Sequence, residues 1–179
     1  AEVQLVREAD QPALAYALQS ALQQQFPQDS EIAYDTAILA EKTGRYAEME
    51  SLLRAVIERD PSFHHAYNAL GFSFAERGVR LDEARTLITK ALESAPNDPF
   101  IMDSLAWTEF RSGNVSQALA LLEKAYALRP DAEIAAHLGE VLWSMGQQTQ
   151  AREIWKQGLL LNADNDTLRE TLQRLGVKP

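Results

Sequence analysis

Apolar positions along this chain step in helical intervals and are interrupted by single glycines and prolines. The stretch D-S-L-A-W-T-E-F-R-S-G, residues 103–113, shows the pattern. If Leu105 faces a core and each residue turns 100°, Asp103, Trp107 and Phe110 fall on the far side, at about 160°, 200° and 140°. A surface helix places polar groups there. The segment therefore predicts a helix with a second, aromatic face. Glu109 falls on its packing side, and no partner for it is legible.

The interruptions are periodic. Gly44, Gly78, Gly113 and Gly146 lie 34, 35 and 33 residues apart, and Pro61, Pro96 and Pro130 lie 35 and 34 apart. Leu70-Gly71, Leu105-Ala106 and Leu138-Gly139 open three units, and Ala84, Ala118 and Ala151 recur behind them. A repeat near 34 residues is the mark of a stacked array. Each unit reads as two helices. Helix A carries the Leu-small pair and ends at the glycine, which accepts a left-handed cap. Helix B carries spaced small residues, which let two backbones approach closely, and stops before the proline.

This pattern resembles the tetratricopeptide repeat family. The second unit matches at Leu70, Gly71, Phe74, Gly78, Ala84, Ala91 and Pro96, and the third at Leu105, Ala106, Gly113, Ala118, Ala125 and Pro130. The fourth matches at Leu138, Gly139, Gly146 and Ala151, with Gly158 and Ala163 in place of the usual Ala and Pro. The first is weaker: Met49 stands where a small residue is usual. G-V-R-L-D-E-A holds one extra residue, so a longer inter-helix loop is expected in the second unit. The resemblance implies an all-α, right-handed solenoid of helix-turn-helix units with a C-terminal capping helix. Residues 1–29 read as part of a preceding repeat, mainly its helix B, and a longer array is expected. Full units follow at 30–63, 64–98, 99–131 and 132–165, and 166–179 form the capping helix and tail. Asp10 is expected to cap the first helix, with Pro12 in its first turn. Thr167 and Glu170 are expected as a capping box, and Arg169 and Arg174 as a polar outer face.

In such a stack the A helices line the concave side. The expected partner-binding groove comprises Tyr34, Ile38, Asn68, Phe72, Phe100, Asp103, Trp107, Phe110, Arg111, Glu140 and Trp143. Aromatic anchors among single polar groups suit a bound peptide or helix of another protein. Two alternatives stand: the aromatics pack on the neighbouring A helix, or the C-terminal helix or preceding units fill the groove. Some members of the family hold a chain-end carboxylate with Lys, Asn and Arg on these faces; only Asn68 is of that type here, so that mode is not expected. Trp155, on a helix B, is expected in the core.

Composition narrows the function. The 179 residues are 46% hydrophobic and 24% charged, with net charge −9 and no cysteine. An acidic chain without a Lys/Arg run is poorly suited to nucleic acid or an anionic membrane. Without cysteine there is no disulfide and no thiolate site. No apolar run approaches a membrane span. No phosphate-binding or hydrolase motif is present, and no cofactor or catalytic residue is expected. Glu133, His137 and Glu140 share one helix face and could serve metal or acid–base chemistry; a solvated inner groove with a polar patch is the simpler reading. His64 and His65 read as an exposed helix start. Asn114 and Asn165 match the glycosylation sequon but read as helix caps.

Three strings, N-A-L-G-F-S-F-A-E-R-G-V-R-L-D-E-A, D-P-F-I-M-D-S-L-A-W and P-D-A-E-I-A-A-H-L-G-E-V-L-W-S-M-G, are also similar to the C-terminal part of proteobacterial tetratricopeptide lipoproteins. That resemblance implies an outer-membrane lipid anchor outside these residues and a periplasmic array; the alternative is a cytoplasmic one. It also implies a scaffold that recruits a carboxyl-terminal processing protease. The expected function is a non-catalytic interaction scaffold or adaptor. The alternatives are a self-assembling homo-oligomer and a metal-dependent or acid–base enzyme.

Overall fold

The structure, a computed structural model, describes residues 11–178, which form ten helices and no strand. They are α1 (Pro12–Gln25), α2 (Ser30–Lys42), α3 (Tyr46–Arg59), α4 (His64–Arg77), α5 (Leu81–Ser94), α6 (Pro99–Arg111), α7 (Val115–Leu128), α8 (Ala132–Ser144), α9 (Gln148–Leu161) and α10 (Asp166–Leu175). Asp10, the expected first cap, lies outside the described residues. The helices pair as A/B hairpins, α2/α3 through α8/α9, and each B helix also packs on the next A helix. Consecutive A helices pack closely along their backbones; consecutive B helices stand further apart and meet through long side chains, Arg54 with Glu83 and Tyr126 with Gln157. The A helices therefore form the tighter, inner wall, and the B helices splay along the outer one.

Local chemistry sets the boundaries. Asp29, Asp98 and Asp131 cap α2, α6 and α8, each side chain accepting from a first-turn backbone N–H. These bonds satisfy donors that a helix start leaves orphaned. α10 corrects an expectation: its cap is Asn165, accepting from the Leu168 N–H. Thr167 lies inside the helix, so the Thr167–Glu170 capping box does not form. The second unit corrects another. Every A-to-B linker is three residues, and the extra residue does not lengthen it. α4 runs straight up to Gly78, which closes it at φ 65°, and Arg80 then takes the left-handed region at φ 51°. Such a conformation is costly for a non-glycine residue; Arg80 is tied to Glu50 and Glu83.

Small residues matter where backbones converge. Trp155 is wholly buried and its indole N–H donates to the Ala136 carbonyl. A side chain at Gly139 would occupy the space of that indole. The core runs in two main clusters. One lies around Leu53, Leu70 and Phe74, the other around Met102, Leu122, Ile134 and Trp155. α10 closes the second, with Leu168 and Leu172 buried against α8 and α9. Glu109 also finds its explanation here. It is 2% exposed and takes two hydrogen bonds from Arg85 on α5 and one from the Asn114 amide. Burial pushes its carboxyl up, but these donors outweigh that and hold it below the usual range.

Candidate functional site

The inner wall of α4, α6 and α8, closed by α10, encloses a pocket of ≈ 460 Å³. Its floor is Trp107, Phe110 and His137, and its sides are Glu76, Arg111, Glu140, Thr167, Glu170, Thr171 and Arg174. The volume lies in the range of ligand pockets, about 300–1,000 Å³.

The floor is built around a buried ion pair between adjacent repeats. His137 Nδ1 lies 2.9 Å from each carboxylate oxygen of Asp103, and His137 is 1% exposed. Burial alone would push the imidazole towards its neutral form. The Asp103 charge and hydrogen bond, with Glu133 and Glu76, reverse this and raise its pKa from 6.5 to about 8. Asp103 thus favours the imidazolium, with Nδ1–H donating to its carboxylate. Trp107 stacks on it at 4.3 Å, 21° from parallel, and Phe110 lies 5.3 Å from Trp107. Phe72 approaches His137 from α4 at 6.1 Å.

Two polar atoms of this floor have no partner among the described residues: Trp107 Nε1, a donor, and His137 Nε2, a donor in the imidazolium, both buried. A buried donor left unmade costs about 1–3 kcal/mol. Around the floor, Arg174 donates to Glu140 across the pocket at 2.6 Å, and Arg111 donates to the Glu76 backbone carbonyl at 3.0 Å. Arg174 thus reaches across the pocket mouth while staying more than half exposed, so the polar face expected of α10 borders the groove. Glu76 and Glu133 have no ion pair among the described residues. Burial and the Asp103 charge push the Glu133 carboxyl above the usual range. Burial does the same to Glu41, at the end of α2, where the Glu76 charge adds to it.

Of the expected groove residues, the structure brings together Phe72, Asp103, Trp107, Phe110, Arg111 and Glu140. Trp107 is 5% exposed, so it packs on the neighbouring A helix and presents only an edge. Asp103 lies beneath it. Tyr34 is remote, packed on Phe63 at 5.4 Å, and Ile38 lies half-buried one turn along α2. Asn68, a turn before Phe72, keeps its amide oxygen buried without a partner among the described residues. Phe100 sits under the Arg129 guanidinium. Trp143 packs against Trp155 and Arg152 at the junction with α9. Among the described residues, no group of His, Asp or Glu converges to hold a metal ion. His137 is turned to Asp103 and Glu140 to Arg174. Glu76 was not among the expected groove residues; Glu133 and His137 fall where an inner-groove polar patch was expected, and α10 closes the groove as one of the alternatives had it. One signal could have found the partners: Asp103–His137 and Glu140–Arg174 each lie 34 residues apart, one repeat, hence face to face on consecutive A helices.

Comparison with known proteins agrees with this architecture. Models of the tetratricopeptide repeat match residues 34–99 and 109–175. A TPR repeat-containing protein of Pseudomonas aeruginosa, PA4667, is 44% identical over 175 residues, 97% of this chain; the chain spans 30% of that protein's length. The human protein O-mannosyl-transferase TMTC1 is 26% identical over 157 residues, 83% of this chain and 17% of its own. Among solved structures, a thermophilic TPR protein of Thermus thermophilus, TTC0263, superposes with TM-score 0.86 at 20% identity, covering 98% of this chain and 96% of that one. Cut9 in the APC/C hetero-tetramer Cut9–Hcn1 gives TM-score 0.80 at 17% identity, over 96% of this chain and 35% of that one. Arrays of this kind typically act as non-catalytic scaffolds for protein–protein interaction. With two repeat matches together covering most of its length on an all-helical solenoid, the chain belongs to the tetratricopeptide repeat family.

Proposed function

We propose that this chain is a scaffold that holds a segment of a partner protein against the inner wall of α4, α6, α8 and α10. The pocket over Trp107, Phe110 and His137, with its unpartnered donors, carries the reading. Apolar rings give burial, and single polar groups give register. Cut9–Hcn1 offers a parallel, a similar solenoid within a hetero-tetramer. The lipoprotein-like strings favour a periplasmic array with an outer-membrane anchor, and a carboxyl-terminal processing protease as partner; the Pseudomonas relative supports the repeat array alone. The test is a photo-crosslinking residue at Phe110, on the pocket floor, and at Gln117, exposed on the outer wall, in envelope extract. Adducts from position 110 alone, containing such a protease by mass spectrometry, are expected. Adducts equally from both positions contradict the groove; a different protein contradicts the partner.

A second reading, self-association, rests on exposed leucines at the ends of α7 and α9. Leu128 and Leu161 are 51% exposed and Leu160 is 88% exposed. A sedimentation coefficient independent of concentration at the monomer value eliminates it.

A further inference from the structure

The inner wall carries more negative charge than it neutralises. Around the pocket, Glu76, Asp103, Glu133, Glu140 and Glu170 face three cations: Arg111, Arg174 and His137. Asp103 is matched to His137 and Glu140 to Arg174. Glu76, Glu133 and Glu170 make no ion pair among the described residues. Of the two guanidiniums lining the pocket, Arg111 has no carboxylate partner, being held by a backbone carbonyl. Glu76 is the electrostatic centre: its charge acts on Glu41, Glu133, His137 and Arg174 at once.

We infer that the occupant of this groove is an extended segment bearing lysine or arginine, an inference that rests on the scaffold reading above. Two independent features point to it. Glu133 is half-buried, while Glu76 and Glu170 are exposed at the rim; unpaired carboxylates so grouped attract cations from outside, and complementary charge directs encounter and register. The buried, unpartnered Trp107 Nε1–H on the pocket floor calls for an acceptor, as does His137 Nε2–H in the imidazolium that Asp103 favours. Backbone carbonyls of an extended chain supply them; a helical segment has already used its own. Cationic side chains lie towards Glu76 and Glu133, and their methylene stems lie over Phe72 and Phe110.

The test is fluorescence anisotropy of the full chain with three labelled twelve-residue peptides, acetylated and amidated. One repeats Lys-Leu-Lys-Phe, and the others carry Gln or Glu in place of Lys. The basic peptide should bind about tenfold or more tighter than the Gln peptide, and lose about tenfold between roughly 50 and 500 mM salt. Glu76→Gln with Glu133→Gln should weaken it about tenfold. Glu123→Gln with Glu153→Gln, exposed on the outer wall, should change it less than about twofold. Equal loss from the outer pair overturns the inference, since the peptide then reads net charge or the cleft between α7 and α9 that those residues line. Tighter binding of the Gln or Glu peptide, or binding of none, overturns it too. In each of those cases the crosslink at position 110 still judges the groove reading separately.

Discussion

The outer and inner walls of this solenoid handle their carboxylates in opposite ways. On the outer wall, Glu50, Arg54, Arg80 and Glu83 form a closed network across two repeats. Arg54 and Arg80 hold the Glu83 carboxyl below its usual range; Glu50, despite the counter-effect of burial, ends there too. On the inner wall, burial and neighbouring carboxylates push Glu41 and Glu133 above it. This outer-wall cluster settles its charge within the molecule; Glu76 and Glu133 on the inner wall make no ion pair among the described residues. The same helical hairpin thus yields a self-sufficient back and an electrically incomplete front. The incompleteness is what equips the front for a partner.

The largest effect should come from the inner wall's one buried pair. Asp103→Ala strands the imidazolium, or forces it to release its proton. A loss of about 3 kcal/mol is expected in urea unfolding at pH 7; a loss under about 1 kcal/mol would mean that the pair is not buried as described. Next comes pH. Asp103 on α6, Glu133 on α8 and Glu76 on α4 face His137. Its folded pKa, about 8, exceeds its ordinary 6.5, so the stabilisation is full below 6.5 and is lost as pH rises through 8. That linkage amounts to about 2 kcal/mol between pH 6 and 9. His137→Gln should flatten the profile; an unchanged slope would assign it to other groups. Smaller still, Glu83→Ala on the outer wall should cost less than about 1 kcal/mol and shrink further in high salt.

The repeat itself was legible because it is written in steric requirements. Leu-small pairs and closing glycines recur wherever two backbones must meet, and Trp155 over Gly139 shows the reason. The groove was legible only in part. A helical wheel treats one helix at a time, so it placed Trp107 and Trp143 on a free face. Trp107 instead meets His137 on the next A helix, and Trp143 meets Trp155. Glu109 failed for the same reason: its partner, Arg85, is 24 residues away on the preceding B helix. Partners one repeat apart, such as Glu140 and Arg174, require the period to be read as a spatial rule.

The contrast between the walls is tested most directly by two conservative changes compared in one urea-unfolding measurement at pH 7. Glu133→Gln removes a charge that the folded chain disfavours; Glu83→Gln removes one that it favours. Opposite signs are predicted: Glu133→Gln raises the unfolding midpoint and Glu83→Gln lowers it. If Glu133→Gln lowers the midpoint as well, the inner-wall carboxylate is already satisfied within the molecule, and the account of the groove is contradicted.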